Sequence, residues 1–223
     1  MSDSSVSNTS WPLPHWHVVD HAGALCSDKA TVIGIVEPVQ AEADLAAGRL
    51  GCPECGGVLR RWGHGRARQV RDHGSVTLPV RPRRARCQDC GSTQVLLPCA
   101  VLPRRADTTA VIGTALLASA RGVGYRRIAA DLARPVSTVR RWVRSVRGEH
   151  TEWLRSRGMA WVHRVDRDVI ATLTAAPTRL GDALTALAAA ACSVRARLSP
   201  HVPPWTLIGR FTQGRLVPPA RAG

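Results

Sequence analysis

The apolar residues of this chain follow two periods, strand-like at first and helical later. Residues 31–37 (TVIGIVE) form an apolar run of strand length, and residues 75–80 alternate Val and Leu with Ser, Thr and Pro, as a half-buried strand does. Residues 58–62 predict another strand, and the Ala-rich residues 39–47 predict a helix. After about residue 104 the pattern becomes helical. The sequence therefore predicts an α+β protein, with a small antiparallel sheet followed by helices.

Two short helices are predicted over residues 126–133 and 137–147, joined by a tight turn. Pro135 cannot continue the first helix, and Ser137 is a good N-cap for the second. The apolar residues of the second helix have the spacing of one helical face: Val139, Trp142, Val143 and Val146. Its opposite face is basic, which favours a helix-turn-helix whose second helix enters the major groove of DNA. The alternative is an ordinary helical hairpin with an Arg-rich surface.

Further helices are predicted on both sides of this pair. Asp107 is placed to cap a helix over residues 108–120. Three more helices are predicted after the pair: residues 149–158, 160–173 and 178–198. Apolar residues recur there every seven positions: Leu173, Leu180, Leu187 and Val194. This repeat indicates a helix packed on the rest of the domain or, alternatively, the seam of a homodimer.

These patterns divide the chain into five segments. The polar residues 1–30 predict a disordered N-terminus, and the Pro-rich residues 199–223 predict a flexible tail. Between them we expect a ribbon region, a helix-turn-helix domain and C-terminal helices, at residues 31–103, 104–158 and 159–198. The N-terminus has neither the basic start nor the apolar core of a signal peptide, and the Ala-rich stretch of the last helix is too short to cross a membrane. We therefore expect a cytoplasmic protein with no membrane partner.

Four cysteines form two Cys-x-x-Cys pairs, each followed by Gly: Cys52, Cys55, Cys87 and Cys90. A two-residue spacer lets two thiolates of one turn reach the same ion, and Zn²⁺ takes four such ligands in a tetrahedron. A redox dithiol or two disulfides fit less well, because the pairs lie in Gly-rich turns and no secretory signal is visible. Four Cys already satisfy the ion, so we interpret His64 and His73 as surface or phosphate-contacting residues. The sequence predicts one structural zinc in a zinc ribbon.

The charge of the chain indicates a polyanionic partner. The formal net charge is +15, and residues 56–86 hold nine Arg against a single Asp. Such close like charges repel each other, and a nucleic-acid backbone would relieve the repulsion. We therefore expect Arg83 and Arg84 to contact phosphate. We expect the helix pair to contact DNA through seven residues: Arg126, Arg127, Ser137, Thr138, Arg140, Arg141 and Arg144.

Several motifs of the chain resemble those of a known family: CPECGG, RPRRARCQDC, LLP followed by RRAD, YRRIAADL and RPVSTVRRWVR. They cover about residues 43–147 and resemble the DNA-recognition region of bacterial insertion-sequence transposases, a zinc ribbon plus a helix-turn-helix. The chain is still more similar to short, uncharacterised actinobacterial proteins that carry only this region. The resemblance implies binding of double-stranded DNA linked to a mobile element, with a transposase encoded nearby as a partner. One departure is the turn, where Ala133-Arg134-Pro135 replaces the usual Gly.

The sequence predicts binding without catalysis. Transposase chemistry needs carboxylates that hold two metal ions, and in the family these lie in a large α/β domain of the ribonuclease-H type. Residues 148–223 are too few for that domain, and their Asp residues fall in helical sequence. We therefore expect a zinc-dependent DNA-recognition or regulatory factor that is not an enzyme. The alternatives are a truncated transposase remnant, a protein-interaction module without a DNA target, or RNA binding through the Arg-rich ribbon.

Overall fold

The computed structural model describes residues 31–219, which form six strands and seven α-helices. Sheet elements come first: β1 (Thr31–Ile35), α1 (Pro38–Ala46), β2 (Leu59–His64), β3 (Arg68–Arg71), β4 (Thr77–Val80), β5 (Arg83–Cys87) and β6 (Thr93–Pro98). Helices follow: α2 (Thr109–Ala120), α3 (Tyr125–Asp131), α4 (Val136–Ser145), α5 (Glu149–Val165), α6 (Arg179–Arg197) and α7 (Pro204–Phe211). The predicted mixed α+β class is confirmed. The predicted disordered N-terminus, residues 1–30, lies outside the described residues.

The main sheet has the strand order β1-β6-β5-β2. One of its faces is apolar and packs under α1, where Leu45, Leu59, Ala85 and Leu96 are buried. The prediction of an antiparallel sheet is wrong for one pair, because β1 runs parallel to β6. Parallel strands need a long crossover connection, and α1 with the intervening strands provides it.

A second sheet of two strands, β3 and β4, packs beside the first. Val70 and Val80 of this hairpin are buried with Leu97 and Val101. The hydrophobic pattern did not predict β3, because its sequence RQVR offers a single apolar residue. Leu97 of β6 is thus buried against the hairpin, whereas Arg60, Trp62 and Arg86 of β2 and β5 are exposed.

The helices share one core, which takes in α2, the α3–α4 pair and α5 to α7. The two helices predicted at residues 149–158 and 160–173 are instead one helix, α5, followed by a 3₁₀ segment at Arg167–Thr172. In α6, Leu187 and Val194 are buried within the chain. None of the helices within residues 31–219 combines the length and hydropathy that crossing a membrane requires.

The prediction of a flexible tail over residues 199–223 is wrong for most of that segment. Residues 204–211 form α7, and Phe211, Leu216 and Val217 are buried. The prolines mislead, because Pro204 occupies the first turn of α7, where its missing N–H costs nothing. The tail is also tied to the start of the helical half, since Arg105 donates to the Pro218 carbonyl at 2.6 Å.

Candidate functional site

The four predicted metal ligands come together at one end of the main sheet. The Sγ atoms of Cys52, Cys55, Cys87 and Cys90 all lie within 4.8 Å of one another. Sγ of Cys52 is 3.8 Å from that of Cys90, and Sγ of Cys55 is 3.5 Å from that of Cys87. A Zn–S bond of about 2.3 Å gives a tetrahedron with edges of about 3.8 Å, whereas a disulfide needs about 2.05 Å. The spacing fits a tetrahedral metal site, and all four cysteines are free of disulfides.

Local backbone geometry explains why the two pairs form matching turns. Gly56 and Gly91, which follow the second Cys of each pair, have φ of +76° and +70°, a conformation that Gly adopts without steric cost. Backbone amides close the turns: Gly56 N–H donates to Cys52 O at 2.9 Å, and Cys87 N–H donates to Ser92 O at 2.9 Å. Leu59 and Cys87 are cross-strand partners, so the sheet fixes the distance between the turns.

The thiols influence one another's ionisation. The Ser92 hydroxyl and backbone amide, with help from neighbouring thiols, lower the pKa of Cys90 to about 6. The Gly57 amide acts in the same direction on Cys55, but its thiol neighbours raise the pKa of Cys55 to about 12. The same cluster thus shifts these two thiol pKa values in opposite directions, and a cation among the sulfur atoms would favour the thiolate form of its ligands. His64 and His73 are exposed and lie outside this cluster, and their contact with phosphate stays a prediction.

The predicted helix pair is present, with its apolar faces turned inward. Ile128 and Ala129 of α3 are buried together with Val139 and Trp142 of α4. The prediction that Ser137 caps the second helix is wrong. α4 already begins at Val136, and the Pro135 carbonyl accepts the amides of Thr138 and Val139. Ser137 is exposed and Thr138 half-buried in the first turn.

The basic residues predicted on this pair lie at its surface. Arg126, Arg140, Arg141 and Arg144 are exposed and form no ion pair within residues 31–219. Arg127 pairs with Asp131 one turn later at 2.9 Å, and both side chains remain largely exposed. Burial, and after it the charge of Arg141, lowers the pKa of Arg105. The positive charge of α4 is therefore not neutralised, and it contributes to the lowered pKa of a neighbouring Arg.

Charge in residues 56–86 is more balanced than the local sequence indicates. Arg83, which we expected to contact phosphate, is held by Glu42 of α1 at 2.7 Å and is 19% exposed. Arg61 pairs with the same carboxylate at 3.3 Å, and Arg71 pairs with Asp107 at 2.8 Å. These acids lie outside residues 56–86, so counting charges along that stretch missed them. Arg84 has no side-chain partner within residues 31–219. It therefore remains a predicted phosphate contact.

Sequence reasoning also missed a buried polar network that joins the β3–β4 hairpin to the helix pair. Arg134, in the α3–α4 turn, donates to Asp107 Oδ1 at 2.6 Å and to the Asp72 carbonyl of the hairpin. Thr108 donates its hydroxyl proton to Asp72 Oδ1 at 2.9 Å. Thr108, not Asp107 as predicted, is the N-cap of α2, because the Asp107 carboxylate is occupied by Arg71 and Arg134. The only sequence signal was an acid beside an Arg-rich turn.

Comparison with known proteins adds one similarity. Searches of curated proteins and of solved structures find no match. Residues 52–142 match a family model described as a domain of unknown function (DUF6431). The match begins at the first cysteine of the cluster and ends at Trp142 of α4. The segment similar to that family thus contains both the cysteine cluster and the basic helix pair.

Proposed function

We propose that this chain is a zinc-dependent protein that binds double-stranded DNA, with α3 and α4 as its helix-turn-helix. The observation that carries the proposal is the two-sided character of α4. Val139 and Trp142 are buried, while Arg140, Arg141 and Arg144 are exposed and without an acidic partner in residues 31–219. A surface helix with unpaired Arg on its free face suits the phosphates and base edges of the major groove.

The turn between the helices supports this interpretation. Ala133 has φ of +50°, the left-handed conformation that ends many helices and that Gly usually provides. The Arg134 amide donates to the Ala129 carbonyl at 2.9 Å, which closes the turn. The turn thus reaches the required conformation with Ala in place of the Gly typical of helix-turn-helix proteins.

Zinc is the ion that the cysteine cluster favours. Four thiolates in a closed tetrahedral set are typical of structural zinc sites. When bound, the ion cross-links the Cys52–Cys55 and Cys87–Cys90 turns. Chain residues do the rest: Cys52 and Cys87 are buried beneath the turns, and the Gly56 and Gly91 turns direct the sulfur atoms towards one point.

The biological setting that we propose is a DNA-recognition or regulatory factor derived from a mobile element. Support comes from the motifs between residues 43 and 147 that resemble those of insertion-sequence transposases and from the Arg-rich surface of α4. In this proposal the protein holds DNA and leaves the chemistry of transposition to another protein.

Selection of duplexes from a random-sequence library on purified, zinc-loaded protein tests the function. We expect an enriched sequence, and binding to it that weakens as salt rises. Arg141→Ala should reduce preference for that sequence over a scrambled duplex by about 1–3 kcal/mol if Arg141 contacts guanine. Arg155→Ala is the matched control, because it removes one exposed Arg from α5, where its partner is Glu152. Failure to enrich any duplex would refute the proposal.

A further inference from the structure

One face of the main sheet is open and basic over β2 and β5. Leu59, Ala85 and Cys87 point into the apolar core. Alternation along the strands therefore places four other residues on the opposite side: Arg60, Trp62, Arg84 and Arg86. We call these four residues the outer sheet face. The face uses no residue of the helix pair.

The positive charge of the outer sheet face lacks a carboxylate partner within residues 31–219. Arg60 and Arg86 are direct cross-strand partners, an arrangement in which like charges repel. Their hydrogen bonds go to neutral oxygens, from Arg60 to Gln88 Oε1 at 3.2 Å and from Arg86 to the Gly91 carbonyl at 3.1 Å. On the inner side, by contrast, Arg61 and Arg83 are both held by Glu42. The two sides of the sheet thus differ in whether their Arg residues are neutralised.

An aromatic ring lies among the Arg residues of the outer sheet face. Trp62 is 51% exposed, and it is the one exposed tryptophan within residues 31–219. The Arg86 guanidinium lies 4.7 Å from the centre of its ring, a cation–π arrangement. The exposed indole offers a flat face for stacking, and its place among Arg residues without acidic partners points to a ligand that is both flat and anionic.

We propose that the outer sheet face binds single-stranded nucleic acid. Trp62 stacks on an unpaired base, while Arg60, Arg84 and Arg86 contact the phosphates on either side of it. Single-strand binding surfaces combine these two elements, a stacking ring and a positive track. A duplex satisfies only the second, because its base faces are covered by neighbouring base pairs. This activity goes beyond the proposed reading of duplex DNA by α4.

Fluorescence anisotropy with labelled oligothymidylate, oligouridylate and an abasic oligonucleotide of equal length tests the proposal. None of these strands pairs with itself, so duplex binding does not contribute. We expect Trp62→Ala to weaken binding of the base-containing strands about fivefold or more, the lower end for one stacked base. Trp62→Phe should retain most of the affinity because it keeps an aromatic ring. The abasic strand should bind wild type more weakly than oligothymidylate at equal charge.

Arg84→Ala should also weaken binding, whereas Arg155→Ala, the same loss of charge on α5, should leave it unchanged. Zinc content of each variant shows that the ribbon remains folded. Weaker binding of both the DNA and the RNA strand by Trp62→Ala supports the proposal. Equal binding of the abasic strand, or unchanged binding by Trp62→Ala, overturns it.

Discussion

Arg134 and Asp107 form an ion pair at 2.6 Å in which both side chains are almost completely buried, at 4% and 3% exposure. Asp107 stands just before α2, and Arg134 lies in the turn between α3 and α4. The pair therefore fixes the position of the helix pair relative to the rest of the chain. The same guanidinium also binds the carbonyls of Leu132 and Ala133, so it shapes the turn itself.

Arg134→Met should destabilise the protein by about 3–5 kcal/mol, because it leaves the Asp107 carboxylate buried with less compensation. Urea unfolding measures the loss. The double variant Arg134→Met with Asp107→Leu removes both charges and should recover part of the stability. A loss below about 1 kcal/mol in the single variant would show that Arg71 alone satisfies Asp107.

If the cysteine cluster holds zinc as proposed, removal of the metal should unfold residues 31–103. Structural zinc sites contribute about 10–16 kcal/mol of apparent binding free energy in small peptides, so Cys87→Ser or a strong chelator should abolish the cooperative unfolding of residues 31–103. Cys192→Ser is the matched control, because Cys192 is an exposed thiol outside the cluster. Metal analysis of wild type should give one zinc per chain, and a chain purified without metal but fully folded would contradict the site.

Arg83 and Arg84 are neighbours that should contribute differently to the proposed DNA binding. Arg84→Ala removes an unpaired charge and should lower the salt slope of binding by about 0.9 if it contacts one phosphate. Arg83→Ala breaks the pair with Glu42 and should affect ribbon stability more than the salt slope. Titrations at several salt concentrations separate the two effects. An equal change of slope in both variants would mean that Arg83 leaves Glu42 when DNA binds.

Ala133→Gly should stabilise the helix pair by up to about 1 kcal/mol. Ala133 has φ of +50°, which costs an L-residue about that much and costs Gly nothing. Thermal unfolding of the variant should therefore shift upward. Ala130→Gly, at an exposed position inside α3, is the matched control and should destabilise. An unchanged or lower melting temperature for Ala133→Gly would contradict the strain.

Gly158→Val should destabilise the helical core. A Cβ at Gly158 would lie 2.7 Å from the backbone of Ala186 and Leu187 in α6, and backbone atoms of a packed helix move only at a cost of about 1–3 kcal/mol. Gly65→Val is the control, because a Cβ there would lie no closer than 3.7 Å to its neighbours, an ordinary van der Waals distance. Circular dichroism during urea unfolding compares the free energies of unfolding of the two variants. Equal values would mean that α5 and α6 move apart at no cost and that the close packing at Gly158 does not stabilise the core.

Sequence patterns predicted the features that depend on local spacing, and they missed those that depend on distant partners. The cysteine cluster and the two faces of α4 follow from spacings of a few residues. Glu42 neutralises Arg83 from 41 positions away, and Asp107 neutralises Arg71 from 36 positions away, which no local charge count includes. Pro204 was misinterpreted for a related reason, since a proline marks a flexible tail or the first turn of a helix depending on what packs against it.

The contact between α7 and β1 has a consequence for how the chain folds. Arg210 donates to the Gly34 carbonyl at 3.4 Å, and His201 contacts Glu37 at 2.9 Å. β1, near the beginning of the described chain, is therefore held in part by contacts with α7, near its end. Such long-range closure slows folding, and a growing chain on the ribosome holds β1 without this support until residue 210 has emerged. We expect refolding to be slower than that of a helical bundle of similar length.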